Sequence, residues 1–152
     1  MPITKDGLKK LRAELLYLKK TEKPNNIKAI AEARAHGDLS ENAEYHAAKE
    51  KQGFIAAKIN ELETAIGQAE VIDINEGPTD RVVFGRTVLL YDVQTDKEIT
   101  YQLVGPYESD PENGRISIKS PLGKGLIGRE IGDEFKIKIP RGVQEFEVLE
   151  IK

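Results

Sequence analysis

The sequence contains no cysteine and no tryptophan. The absence of cysteine excludes disulfides, thiolate nucleophiles, and thiolate-held zinc or iron–sulfur groups. Aromatic residues make up only 6% of 152 positions, so neither an aromatic core nor a base-stacking platform is expected. Two histidines, His36 and His46, are too few for an all-histidine metal site. No run approaches the roughly 18 apolar residues of a membrane span. The stretch Met1 to Leu15 is charged throughout and lacks the apolar centre of a secretion signal. No Ser-His-Asp order, glycine-rich phosphate loop or dinucleotide fingerprint occurs. These absences lead to the expectation of a cytoplasmic, monomeric protein with no membrane partner and no self-contained active site.

Charge is abundant instead. Charged residues form 32% of the chain, above the usual quarter, and hydrophobic residues 39%, a thin core for this length. The 23 basic and 26 acidic side chains nearly cancel. Over the whole chain this argues against binding nucleic acid through a simple basic patch. The balance is uneven along the chain, however. From Lys5 to Arg34 there are 9 basic and 4 acidic residues, while from Asp38 to Asp73 there are 3 basic and 8 acidic.

Both segments carry helical periodicity. Leu8, Leu11, Leu15 and Leu18 step by three and four, as do Ile55, Ile59, Leu62, Ile66 and Ala69. Pairing Leu8 with Ala69, Leu11 with Ile66, Leu15 with Leu62 and Leu18 with Ile59 gives residue numbers that always sum to 77. That is the arithmetic of an antiparallel hairpin folding near residue 38, with Ile30 meeting Ala47 and Ala48. Gly37 suits the left-handed C′ position ending the first arm. Pro24 removes a backbone donor and predicts a kink or break in that arm. An arm of about 35 residues would be roughly 50 Å long at the α-helical rise. Opposite charge on the two arms favours their pairing, though each surface pair contributes little.

After Gly77-Pro78 the period changes to two. Strands are expected at Arg81–Phe84, Thr87–Tyr91, Ile99–Val104, Ile116–Ile118, Phe135–Ile139 and Phe146–Ile151, with turns at Thr95-Asp96, Glu112-Asn113-Gly114, Gly132-Asp133 and Arg141-Gly142. A short helix fits between Ser120 and Gly128. The expected fold is α+β: a coiled-coil hairpin over 1–76 with an acidic tip at 38–44, then a β-rich domain over 77–152.

The tip reads Gly37-Asp38-Leu39-Ser40-Glu41-Asn42-Ala43-Glu44-Tyr45-His46. Asp38-x-x-Glu41 has the spacing of a capping box, with Asp38 as N-cap and Glu41 at N3. Acids there also favour the positive end of the helix dipole. Glu44 is a third carboxylate that capping does not need. Asp38 and Glu41 share a helical face and repel, and a divalent cation such as Mg²⁺ would relieve the repulsion. Two carboxylates make only a partial Mg²⁺ site, so such an ion would be shared with another molecule. Arg34 and Lys49 flank the tip and either steer phosphates or are solvated charges. Lys9, Lys10, Lys19, Lys20 and Lys23 read as solubilising residues, and His36 and His46 as plain tip polars. Tyr45 either braces the tip or stacks on a base, and no function attaches to Ser40.

The run Ala31-Glu32-Ala33-Arg34-Ala35-His36-Gly37-Asp38-Leu39-Ser40-Glu41-Asn42-Ala43-Glu44-Tyr45-His46-Ala47-Ala48-Lys49-Glu50 resembles the signature of bacterial Gre transcript-cleavage factors, closest to the GreA type. Ser120-Pro121-Leu122-Gly123-Lys124-Gly125-Leu126-Ile127-Gly128 resembles a second segment of that family. The resemblance covers essentially the whole chain. It implies a coiled-coil hairpin followed by an FKBP-like domain that docks on bacterial RNA polymerase at its secondary channel. It further implies that the hairpin tip stimulates the polymerase's own cleavage of the 3′ end of backtracked nascent RNA, so that the chain is not itself an enzyme. The positions matching the family's catalytic carboxylates are Asp38 and Glu41, which would share Mg²⁺ with the polymerase. Asn42, Ala43, Glu44 and Tyr45 match the surrounding motif. Arg34 and Lys49 match a transcript-contacting basic patch, and Ser120 and Pro121 a polymerase-docking loop.

Three rival readings remain. One is a channel occupant that modulates polymerase without inducing cleavage. Another is a prolyl isomerase, which would need an aromatic-lined pocket built from Phe84, Tyr91, Tyr101, Tyr107, Phe135 and Phe146. The last is a structural coiled-coil adaptor, which leaves the acidic tip unexplained.

Overall fold

The computed structural model describes residues 1–75 and 77–152; Glu76, where the domain boundary was expected, lies outside them. The chain divides into two compact units, Leu8–Ala69 and the combination of Met1–Gly7 with Glu70–Lys152. The first seven residues, which the sequence places with the hairpin, group with the β-rich unit. A short parallel pairing holds them there, β1 (Pro2–Ile3) against β2 (Glu70–Val71). Glu108, itself buried, accepts hydrogen bonds from the Thr4 amide at 3.2 Å, the Thr4 hydroxyl, and the Gly105 amide at 3.0 Å. Thr4 Oγ1 accepts the Gly7 amide at 3.0 Å, satisfying a donor of the first turn of α1 (Lys5–Tyr17). Two-residue strands carry no legible period, which is why the sequence does not announce them.

The helical unit continues from α1 through a π-helical turn (Leu18–Glu22) into α2 (Lys23–Arg34), and returns as α3 (Ala43–Gly67). The break that Pro24 allows does not occur: the helix runs on through it. The backbone stays helical at Tyr17, Glu22 and Lys23, and the Lys23 amide closes the wide turn on the Leu18 carbonyl. Pro24 follows at once, so its missing donor falls where the hydrogen-bond ladder is already changing register. The inward positions Leu18, Glu22, Asn26 and Ile30 step by four three times in succession. An α-helix of 3.6 residues per turn would rotate such a row off the seam, and the extra residue of the π turn restores its phase.

Cross-arm contacts run antiparallel. Lys19 pairs with Glu63, Glu22 with Lys51 at 3.3 Å, and the Asn26 amide donates to the Ala48 carbonyl at 3.0 Å. Leu11, Ile30, Ala33, Ile55, Leu62 and Ala65 are buried along this seam. Leu8, Leu15, Leu18, Ile59 and Ile66 are only half-buried, as a thin two-helix interface dictates.

The second unit is built on a five-stranded mixed sheet in the order β5-β4-β3-β7-β6, comprising β3 (Thr87–Asp92), β4 (Lys97–Val104), β5 (Arg115–Ser117), β6 (Glu134–Ile139) and β7 (Gly142–Ile151). The β4–β5 pair is parallel and the other pairs antiparallel, with a bulge in the β3–β7 ladder between Leu89 and Leu90. Alternate residues point inward, and Val88, Leu90, Leu103 and Val148 are fully buried. The short helix α4 (Pro121–Leu126) covers this face through Leu126. Phe135 and Phe146 stack on each other inside the core with centroids 5.8 Å apart.

One expected strand is not formed. Arg81–Phe84 makes only an isolated bridge from Arg81 to Glu130. The chain turns directly afterwards at Gly85, whose φ is +86 and where an added Cβ would stand 2.8 Å from the Ile74 side chain, so a larger residue is excluded. Val82 still anchors in the core, exchanging hydrogen bonds of 2.8 Å with Arg129 and Gly128.

Candidate functional site

The hairpin apex is the loop between α2 and α3. Helix α2 ends at Arg34, and Gly37 turns the chain with φ +112, one residue beyond the C′ position expected for it. Helix α3 is capped by Asn42, whose Oδ1 accepts the Tyr45 amide at 3.0 Å. The expectation of Asp38 as N-cap and Glu41 at N3 is therefore corrected. Asp38 Oδ1 instead accepts the Ser40 amide at 2.9 Å and the Ser40 hydroxyl at 2.8 Å. Such local bonds compete with helix formation and keep 38–41 as a turn.

Asp38 and Glu41 thus both precede the helix and are exposed, while Glu44 lies in the first turn of α3. The Ser40 amide, then its hydroxyl, hold the Asp38 carboxyl below the ordinary aspartate value. Asp38 Oδ2 and both Glu41 oxygens accept no hydrogen bond among the described residues. His36, Asp38, Glu41, Asn42, Ala43 and Glu44 line one shallow, open depression.

Four contacts brace this loop. The Asn42 side-chain amide crosses to the Ala33 carbonyl at 2.6 Å, tying the start of α3 to the last turn of α2. The Arg34 guanidinium sits 5.8 Å from the Tyr45 ring centroid. Tyr45 meets the His46 ring edge-on at 5.7 Å, and His46 Nε2 lies 3.3 Å from the Ser40 carbonyl. Lys49 is exposed and donates to Gln52 Oε1 at 3.0 Å.

Two family models match the chain in order. Residues 1–71 match the model described as "Transcription elongation factor, N-terminal", and 77–152 the one described as "Transcription elongation factor, GreA/GreB, C-term". The chain belongs to the GreA/GreB family of transcription elongation factors. It is 49% identical over 152 residues to the transcription elongation factor GreA of Haemophilus influenzae, covering 99% of this chain and 96% of that one. It is 53% identical to that of Desulfotalea psychrophila, covering 100% and 94%. Among solved structures, the GreA factor homolog 1 protein of Thermus thermophilus shares 27% identity over 100% of this chain and 98% of its own, with a TM-score of 0.46.

The second family-like segment has a local structural job. Ser120 caps α4, its Oγ accepting the Gly123 amide at 3.0 Å and donating to the Ser117 carbonyl at 2.6 Å. Pro121 is exposed at the first helical position, where its fixed φ suits the turn. A Cβ on Gly123 would lie 2.1 Å from the Ser117 carbonyl oxygen, so this family segment needs glycine there.

The tip donors suit Mg²⁺ in kind: they are hard, ionised oxygens with open coordination. They fall short in number, since among the described residues no three His, Asp or Glu side chains gather as a metal-binding group. The arrangement fits a cation held jointly with another molecule. Sequence reasoning passed over Ser40 and His46 at this site. An Asp-x-Ser turn was the available signal for Ser40; His46 carried none, because its partner is a backbone carbonyl.

Proposed function

We propose that this elongation-factor family member enters the secondary channel of bacterial RNA polymerase and stimulates the polymerase's cleavage of the 3′ end of backtracked nascent RNA. The observation that supports this most is the apex itself, where an ionised Asp38 anchored by Ser40 stands beside Glu41, whose carboxylate has no partner among the described residues. In this reading Asp38 and Glu41 hold Mg²⁺ together with the polymerase. When bound, that ion would neutralise charge at the phosphodiester and lower the pKa of its water. Asp38 offers Oδ2, its other oxygen being committed to Ser40. One Glu41 oxygen would hold the ion, leaving the other to accept a hydrogen bond from the attacking water and so orient it. Asn42 and Tyr45 keep the loop in place, and Glu44 adds negative charge at the helix start. The chain hydrolyses nothing alone; it contributes two groups to an enzyme that has the rest.

Arg34 and Lys49 contact the transcript in this proposal, with Arg34 presented on the Tyr45 ring. Ser120 and Pro121 belong to the polymerase-docking loop. The prolyl-isomerase alternative loses two of its six aromatics, because Phe135 and Phe146 are spent on the core. The test is RNA shortening from the 3′ end in a stalled, backtracked elongation complex with Mg²⁺. Wild type cleaves and Asp38→Asn does not; equal cleavage by both contradicts the assignment.

A further inference from the structure

We propose that His46 is a positioning residue for Asp38, acting through Ser40. The inference rests on the reading of Asp38 as a cation-holding carboxylate. Two hydrogen bonds from Ser40 orient that side chain, at 2.9 and 2.8 Å. They are useful only if Ser40 is itself held, and residues 38–42 form neither helix nor strand. Among the described residues, the one bond that ties Ser40 to α3 runs from its carbonyl to His46 Nε2 at 3.3 Å. A carbonyl oxygen only accepts, so Nε2 must carry the proton.

His46 is well placed for the task. It lies in the first turn of α3, and its amide donates to the Asn42 carbonyl at 3.1 Å. Its ring is set by the edge-on contact with Tyr45, and Tyr45 is set by Arg34 from α2. A chain of contacts thus runs from both helices to one carboxylate: Arg34, Tyr45, His46, Ser40, Asp38. Glu41 has no such link and stays adjustable. One carboxylate is fixed and the other is free to adapt to the partner's geometry. Loss of one such neutral hydrogen bond corresponds to an effect of about threefold to tenfold.

The test uses the full chain in a stalled, backtracked elongation complex, with His46→Phe, His46→Gln and Asp38→Asn beside wild type. His46→Phe keeps the ring against Tyr45 and removes the donor. His46→Gln puts an amide nitrogen where Nε2 was. The expected result is an about three- to tenfold slower cleavage at saturating factor for His46→Phe, with an unchanged half-saturating concentration and near-normal cleavage for His46→Gln. In the isolated protein at alkaline pH, ¹⁵N shifts should show Nε2 protonated and Nδ1 bare. Wild-type cleavage by His46→Phe overturns the inference. So does a change confined to half-saturation, equal loss in His46→Gln, or an Nδ1–H tautomer. If Asp38→Asn cleaves normally, the underlying reading fails and this inference with it. If Asp38→Asn is inactive while His46→Phe is normal, only the inference about His46 fails.

Discussion

Asn42→Ala should loosen the hairpin apex by an amount that can be worked out from two bonds. The side chain accepts the Tyr45 amide at 3.0 Å and donates to the Ala33 carbonyl at 2.6 Å. Losing an asparagine N-cap costs about 1 kcal/mol. Losing the cross-arm bond adds about 0.5–1.5 kcal/mol. The sum, about 2 kcal/mol, corresponds to roughly thirtyfold more frequent opening of the apex. The assay is native-state amide hydrogen exchange at Tyr45, with Leu62 as an internal control on the same helix. Asn42→Ser separates the two terms, because serine keeps the cap and cannot reach Ala33. It should fall between wild type and Asn42→Ala. The reasoning is refuted if Tyr45 exchanges equally in Asn42→Ala and wild type. Equal exchange in Asn42→Ser and Asn42→Ala would show that the cap contributes nothing.

Two further predictions concern charges at the apex. The folded value of Asp38 lies below its unfolded one, so its ionised form favours the folded loop. Any stability it contributes is complete above the unfolded value and is lost as pH falls through the lowered folded value. Ser40→Ala removes the hydroxyl bond, the smaller cause, and keeps the amide bond. The titration midpoint followed by side-chain ¹³C shift should therefore rise yet stay below the ordinary aspartate value; an unmoved midpoint contradicts the assignment of causes. Separately, Arg34→Ala with Lys49→Ala should weaken action on complexes backtracked by longer RNA segments, measured as cleavage rate against backtrack length. An unchanged dependence would return both residues to the class of solvated charges.

The sequence foretells most of the architecture because its apolar spacing is regular. The leucine and isoleucine steps place the hairpin fold near residue 38, and the cross-arm bonds from Asn26 to Ala48 and from Asn42 to Ala33 follow that register. Five of six expected strands form, since each alternates across a half-buried sheet. The misses share a cause: each turns on competition between local bonds. Pro24 leaves a break open, yet the helix runs on because a π turn just before it absorbs both its missing donor and the fourth-residue stepping from Leu18 to Ile30. Asp38 has the spacing of a cap, but Ser40 captures its carboxylate and Asn42 takes the cap. Arg81–Phe84 has strand composition, but Gly85 turns the chain away. The acidic pair was legible as a feature; the Ser40 turn on Asp38 had only the Asp-x-Ser spacing as a signal, and the His46 link had none, because its partner is a backbone carbonyl.

In the proposed role, Asp38 and Glu41 complete a cation site belonging to another enzyme. That role is tested most directly by transcript cleavage in a stalled, backtracked complex, with polymerase binding followed in parallel by competition between wild-type and variant chains. Asp38→Asn and Glu41→Gln should abolish shortening of the RNA from its 3′ end while binding polymerase as wild type does. Normal cleavage by both variants, or binding by wild type with no cleavage at all, would contradict it.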